Sequence, residues 1–220
     1  MRIEVISLTA AGSDGIAVGF RLSDGENSCK ESLIISIDVY TQLDIQRGEC
    51  PRELYEKVES EASIFEAYRR GINVLGFGFC SRKMLVSKLR QKGYSMDIAE
   101  EAVKRIEAKD YLDEGENSLR EAEKCVAKLW GEARIKGALA EKRYSVEAIN
   151  AALYALEDSG VDYDANCKEL IDKKYKVLPT DRVQMQKLVA AVCRYGYSVA
   201  QIKRACIKLS EERKIKDMFG

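Results

Sequence analysis

The segment Lys92-Gly93-Tyr94-Ser95 decides the fold, because it recurs as Lys142-Arg143-Tyr144-Ser145 and as Tyr195-Gly196-Tyr197-Ser198. The three copies are spaced by 50 and 53 residues, and a fixed period of this order is typical of an array of structural repeats. Each copy ends in serine, a residue type that caps a helix by accepting hydrogen bonds from its first free N–H groups. The sequence therefore predicts that a helix begins directly after each of these serines.

Apolar residues at fixed distances from each serine predict two helices in every copy. The positions ten and six residues before the serines are apolar throughout: Leu85 and Leu89, Ile135 and Leu139, Leu188 and Val192. So are the positions four, seven, eight and eleven residues after them: Ala99, Ala102, Val103 and Ile106; Ile149, Ala152, Leu153 and Leu156; Ile202, Ala205, Cys206 and Leu209. Both spacings place the apolar residues on one face of a helix, and such a face must pack against a neighbour.

A leading helix is predicted ahead of each pair, over about residues 62–77, 116–129 and 163–178. The sequence thus predicts a mainly α-helical protein with three tandem three-helix repeats, over residues 61–112, 113–160 and 161–220. Stacked repeats of this kind form an elongated, curved body with one face open to a partner. Such arrays usually bind rather than catalyse.

Residues 1–60 have a different pattern, which predicts a small N-terminal β-rich region. Ile16, Val18, Phe20 and Leu22 alternate with smaller or polar residues, as in a half-buried strand, and Ser23-Asp24-Gly25 can form the following turn. We expect strands over residues 2–8, 15–22 and 28–35, a short helix over 36–43, and Pro51 in the first turn of the next helix.

The composition excludes several kinds of active site. The 220 residues contain no histidine, which rules out histidine acid–base catalysis, histidine-dependent nucleophiles and histidine-ligated metals. The seven cysteines form no Cys-x-x-Cys pair and are expected to be reduced thiols. We therefore expect a protein that is not an enzyme and that binds neither a cofactor nor a metal.

The sequence also indicates where the protein acts. No stretch approaches the roughly 18 consecutive apolar residues that a membrane-spanning helix needs. The beginning, MRIEVISLTA, lacks the basic and apolar regions of a secretory signal. We expect a cytoplasmic protein without membrane contact, and a monomer.

Charge is distributed unevenly along the chain. The 36 basic and 36 acidic residues cancel overall, but residues 1–60 carry a net charge of −5 and the remainder +5. The middle helix of each repeat, over residues 81–92, 131–143 and 182–194, is predominantly basic. Its cations are Arg82, Lys83, Lys88, Arg90 and Lys92 in the first repeat, Arg134, Lys136, Lys142 and Arg143 in the second, and Arg182, Lys187 and Arg194 in the third.

Repeats stacked in a common orientation would align these cations, with Lys203 and Arg204 of the last helix, as a surface for a polyanion. The alternative is that they are ordinary solvated residues, since lysine and arginine are good helix formers.

Other motifs favour structural roles. Gly76-Phe77-Gly78-Phe79 is predicted to end a helix rather than to bind phosphate, because it matches no phosphate-loop spacing. The acidic run from Asp110 to Glu116 is predicted to be a solvated turn. Trp130 is predicted to anchor the core between repeats, with a partner hot spot as the alternative. The three recurring tyrosines favour packing over base stacking.

The repeats resemble the RecX family, bacterial regulatory proteins that modulate the RecA recombinase. The similar stretches are the run from Ser81 to Tyr94, the link Asp110-Tyr111-Leu112-Asp113-Glu114, Trp130-Gly131-Glu132-Ala133-Arg134-Ile135, and Gln186-Lys187-Leu188-Val189 leading to the last copy of the anchor. The Asp24-Gly25 turn and Gly48-Glu49 before a helix look like features of the longer, Gram-positive-type members. The resemblance covers nearly the whole chain.

The resemblance implies a regulator that lodges along a RecA–DNA filament, inhibits its growth and lowers its ATPase and strand-exchange activities. It implies a role in homologous recombination, DNA repair and the SOS response. The partners would be the RecA filament and single- or double-stranded DNA, and the basic residues above would contact one or the other. The residues alone leave open a second function, a DNA-binding protein that acts without a recombinase.

Overall fold

The computed structural model describes residues 2–25 and 27–219, with side chains as far as residue 214. Four strands and ten helices occupy these ranges. The strands are β1 (Arg2–Ala10), β2 (Gly15–Asp24), β3 (Asn27–Ser36) and β4 (Gly48–Glu49). The helices are α1 (Ile37–Leu43), α2 (Arg52–Gly76), α3 (Arg82–Gln91), α4 (Met96–Ala108), α5 (Glu114–Val126), α6 (Glu132–Glu141), α7 (Val146–Asp158), α8 (Tyr163–Lys174), α9 (Arg182–Cys193) and α10 (Val199–Phe219). The predicted class, mainly α with a small N-terminal sheet, is confirmed.

Contacts divide the chain into two compact units. The first contains the chain as far as Gly78 together with Leu85–Leu112, and the second contains Phe79–Met84 and the chain from Asp113 onward. The predicted division into an N-terminal region and three repeats stays a prediction.

The sheet of the first unit is antiparallel, in the order β3-β2-β1-β4. Its alternating pattern buries Val18, Phe20 and Ile35 completely on the face that meets α2. Tyr55 of α2 packs its ring edge-to-face on Phe20 at 5.1 Å, and its hydroxyl donates a hydrogen bond of 2.7 Å to Glu31. The three predicted strands are confirmed, each slightly longer than expected.

Helix α2 is longer than the sequence pattern predicted. The leading helix was expected from residue 62, but one continuous helix begins at Arg52, directly after Pro51, and ends at Gly76. Its first turns bury Tyr55 and Val58 against the sheet, and later turns face α4. At Gly71 the two helices approach so closely that an added Cβ would lie 2.5 Å from Ile106 Cδ1. The two apolar patterns therefore share one helix.

The three anchor serines cap helices as predicted. Ser95, Ser145 and Ser198 each accept a hydrogen bond from the N–H three residues later, at 3.3, 3.2 and 3.2 Å. In the second unit, helices α5 to α7 supply one buried cluster, which includes Ile135 and Leu139. Helices α8 to α10 supply another. Each cluster thus draws on three consecutive helices.

Candidate functional site

Helix α3 and the residue directly after it carry four exposed cations. Leu85, Val86 and Leu89 are buried, whereas Lys83, Lys88, Arg90 and Lys92 are exposed. Among the described residues these four cations make no ion pair. Arg82, at the start of the helix, is half-buried, and its backbone N–H donates 3.2 Å to the Glu114 carboxylate. Helix α3 is therefore the middle helix with the most available positive charge.

Helix α6 uses half of its cations internally. Lys136 and Arg143 are exposed, whereas Lys142 pairs with the Glu121 carboxylate. Arg143 adopts φ 60° directly after the helix, a position that glycine usually occupies. Arg134 is half-buried among aromatic rings.

The cations of α9 are exposed and those of α10 are divided. Arg182, Lys187 and Arg194 lie on the surface. On α10, Lys203 is exposed, while Arg204 forms a bidentate pair with Asp164 at 2.7 and 2.9 Å. Four of the predicted cations are thus held in intramolecular contacts, namely Arg82, Arg134, Lys142 and Arg204. A common basic face across all three middle helices stays a prediction.

The start of α3 contacts the end of α6. Ser81 is 1% exposed; its hydroxyl accepts from the Met84 N–H at 3.2 Å and donates to the Lys142 carbonyl at 2.6 Å. One hydroxyl therefore caps the start of α3 and satisfies a carbonyl beyond the end of α6.

The start of α6 contacts the end of α9 in the corresponding place. The N–H of Gly131 donates to the Tyr195 carbonyl at 2.7 Å, and Tyr197 Oη donates to the Leu129 carbonyl at 3.0 Å. In the repeat alignment, Gly131 is equivalent to Ser81. The two backbones are so close that a Cβ on Gly131 would lie 2.5 Å from the Gly196 carbonyl oxygen. At both junctions, therefore, a backbone carbonyl accepts the hydrogen bond.

Aromatic rings and cations alternate at the junction of α6 with α9. The Arg134 guanidinium lies 3.8 Å from the centroid of the Trp130 ring and 5.0 Å from that of Tyr195. Lys128 lies 5.6 Å from the Trp130 ring, and Lys174 lies 4.7 Å from the Tyr195 ring. We call these five residues the cation–aromatic ladder. The hydrogen bond and charge of Lys174 lower the pKa of the Tyr195 hydroxyl.

The ladder refines what the sequence suggested. Trp130 packs against the α5–α7 cluster and against Arg134, in line with the predicted anchor. Lys128 and Lys174 were not predicted. Trp130 precedes the N-cap of α6, so the i, i+4 rule for helices does not predict its contact with Arg134. Lys174 and Tyr195 belong to different segments, and no local pattern joins them.

The remaining motifs have structural roles. Helix α2 ends at Gly76, as predicted, with the Phe77 N–H donating to the Val74 carbonyl at 3.2 Å. Tyr144 and Tyr197 are 5% and 3% exposed, which favours packing over base stacking. The acidic run is more ordered than the predicted solvated turn, because half-buried Glu114 also accepts from the Ser145 hydroxyl at 2.8 Å.

Two kinds of site are absent from the described part of the chain. It contains no group of three or more Cys, Asp and Glu side chains that could hold a metal ion. None of its helices is long and apolar enough to cross a membrane.

Comparisons with known proteins place these features beside one group of relatives. No protein-family model matches the chain. The chain is 29% identical over 126 residues to "Regulatory protein RecX" of Xanthomonas axonopodis pv. citri (strain 306), a match that covers 57% of this chain and 76% of that protein. The protein of the same name from Xanthomonas citri matches equally well.

Two solved structures share the fold. A crystal structure of regulatory protein RecX matches with a TM-score of 0.72 at 16% identity, covering 92% of this chain and 99% of that one. The crystal structure of RecX from Lactobacillus salivarius matches with a TM-score of 0.57 at 19% identity, covering 67% and 97%. The sequence match and the shared fold together confirm the resemblance found in the repeats.

Proposed function

We propose that this chain, a member of the RecX family, regulates the RecA recombinase by binding to its nucleoprotein filament. The observation that supports this most is the match to regulatory proteins named RecX over 76% of their length. The regulator limits filament growth and lowers the ATPase and strand-exchange activities of the filament. It acts as a cytoplasmic monomer in recombination, DNA repair and the SOS response, and it catalyses no reaction itself.

The charges of the chain suit such a partner. A nucleoprotein filament offers DNA phosphates and acidic protein surface, and both attract exposed cations. Lys83, Lys88 and Arg90 of α3 are exposed, as are Lys92 directly after it, Lys136 of α6 and Lys187 of α9. The acidic residues 1–60 form a separate region of opposite charge. We propose that the cations contact the filament.

A second candidate is a DNA-binding protein that acts without a recombinase. The observation in its favour is the exposed positive charge of α3. Residues 82–91, which form this helix, include no acidic residue. This function requires tight binding to free DNA, with an affinity that falls steeply as salt is raised.

The deciding experiment titrates the protein into RecA that hydrolyses ATP on single-stranded DNA. Binding of the protein to the same DNA, without RecA, is measured in the same buffer. The proposed function predicts inhibition at concentrations that leave free DNA largely unbound. Unchanged hydrolysis, together with strong and salt-sensitive DNA binding, would overturn it in favour of the second candidate.

A further inference from the structure

Phe77 is the most exposed large apolar side chain in the described part of the chain, at 95%. It follows the last residue of α2 and lies between Gly76 and Gly78, so neither neighbour has a side chain to cover it. Capping the helix does not require a phenylalanine, since the Phe77 backbone makes the capping bond. Single exposed apolar residues are common on protein surfaces, so a partner contact here requires further apolar surface and matching charge beside the ring.

A small groove of about 240 Å³ lies beside this ring, between the end of α2 and α3. Half-buried Val74 provides the aliphatic surface, because Leu89 is only 1% exposed, and Lys88, Lys92 and Arg70 contribute the charged side chains. None of the residues that line the groove is acidic. Small-molecule pockets usually span about 300–1,000 Å³, so the groove suits a side chain of a partner better than a free ligand.

The charge at the groove is available to a partner. Lys88 and Lys92 are exposed, and neither has an ion pair among the described residues. Arg70 differs, because its guanidinium donates to Glu66 at 3.4 Å and to Tyr94 Oη at 2.9 Å. The two lysines therefore supply unmatched positive charge next to apolar surface.

We propose that this groove docks an acidic segment of a protein partner. One aliphatic or aromatic side chain of the segment sits beside Phe77 and over Val74, and carboxylates elsewhere in the segment pair with Lys88 and Lys92. The inference rests on the proposed function, under which the segment belongs to the recombinase subunits of the filament.

The groove favours a protein segment over a nucleic acid. The apolar part of the lining, Val74 and Phe77, offers no hydrogen bond to the polar edge atoms of a base, although the amides of Asn73 and Gln91 belong to the same lining. A leucine or phenylalanine side chain has no such atoms. Carboxylates of a protein segment would pair with Lys88 and Lys92 as well as DNA phosphates would.

The test combines two substitutions at Phe77 with a control on another exposed aromatic residue. Phe77→Ala is compared with Tyr154→Ala, because Tyr154 of α7 is 70% exposed. RecA–DNA filaments are the partner, and inhibition of ATP hydrolysis is the readout. Phe77→Ala is expected to raise the half-inhibitory concentration about tenfold or more, and Tyr154→Ala to leave it unchanged.

Phe77→p-benzoylphenylalanine identifies the partner by photocrosslinking within the same filaments. A crosslink to recombinase is expected. A crosslink to DNA alone, or full inhibition by Phe77→Ala, overturns the docking groove while the proposed function stands. If the wild-type protein has no effect on ATP hydrolysis, both the docking groove and the proposed function are overturned.

Discussion

The Ser81 hydroxyl lies 2.6 Å from the carbonyl oxygen of Lys142, although the two residues are 61 positions apart. Because Ser81 also accepts from the Met84 N–H, it is a helix cap and a long-range donor at once. Its burial means that water cannot replace either bond.

Ser81→Ala should lower the free energy of unfolding by about 1–3 kcal/mol, because it removes a cap and leaves the Lys142 carbonyl without this donor. Ser81→Gly, which places here the residue found at position 131, should lose the donated bond but retain most of the capping preference. Urea unfolding followed by circular dichroism measures both. Ser87→Ala on the same helix is the control, and a Ser81→Ala variant as stable as this control would contradict the prediction.

Gly196→Ala should destabilise the second unit for two separable reasons. The residue has φ 92°, and an added Cβ would lie 2.5 Å from the backbone nitrogen of Arg134. Gly160→Ala is the matched control, since Gly160 has φ 85° but open space around its Cβ position. We expect a cost of roughly 1–2 kcal/mol from backbone conformation in both variants, and a further 1–3 kcal/mol, approximately, from crowding in Gly196→Ala alone. Equal melting temperatures would refute the close approach.

Arg134→Ala should loosen the cation–aromatic ladder and cost about 1 kcal/mol or more, because the guanidinium stacks on Trp130 and approaches Tyr195. Trp130 is the single tryptophan of the sequence, so its fluorescence reports this junction directly. The emission spectrum should shift in Arg134→Ala and stay unchanged in Lys136→Ala, which alters an exposed cation of the same helix. An Arg134→Ala spectrum identical to that of the wild-type protein would contradict the contact between Arg134 and Trp130.

Reversing charge at Lys83, Lys136 and Lys187 together should weaken partner binding at moderate salt, because one exposed cation changes on each middle helix. The control reverses Lys57, Lys104 and Lys208, three exposed lysines outside these helices, and changes the net charge equally. If the partner surface is DNA, the slope of log affinity against log salt should also decrease by about three. Equal binding by the two triple variants would remove the middle helices from the interface.

The Cys167 thiol should resist modification in the folded protein, because burial raises its pKa to about 12. The exposed thiols of Cys29 and Cys193 should react with a thiol reagent at pH 8, and Cys167 only after unfolding. Between about pH 9 and pH 12, the Cys167 thiol keeps its proton in the folded state and loses it in the unfolded chain. Stability should therefore fall as the pH rises above about 9, the ordinary pKa of the thiol, toward 12. Cys167→Ala should flatten this fall, and an unaltered pH profile would contradict the assignment.

Local patterns predicted the elements, and contacts distant in sequence escaped them. The serine anchors are short-range signals, since each cap involves an N–H three residues away. Strand β4, Gly48–Glu49, is too short to show an alternating pattern, and it exists only because it pairs with Glu4 and Val5. The sequence does not predict the full length of α2, because its first turns pack on the sheet and its later turns pack on α4, which gives two different apolar patterns.

The candidate surface was predictable in composition but not in use. The sequence alone does not distinguish exposed cations of α6 from cations held in internal contacts. The structure separates exposed Lys136 from Arg134, whose ring partners include Tyr195 on a distant segment. Similarly, the glycines around Phe77 predict that α2 ends there. They do not predict that the Phe77 ring is exposed beside a groove lined by α3.

The acceptors at the two helix junctions are main-chain carbonyls, those of Lys142 and Tyr195, and every residue of a protein has one. The join therefore places little demand on the identity of the acceptor residue, and a serine hydroxyl and a glycine N–H donate in equivalent places. In the predicted repeats, the second copy contains both a donor, the Gly131 N–H, and an acceptor, the Lys142 carbonyl. Under the predicted division into repeats, a duplicated segment would therefore bring its own main-chain acceptor for the donor of its neighbour.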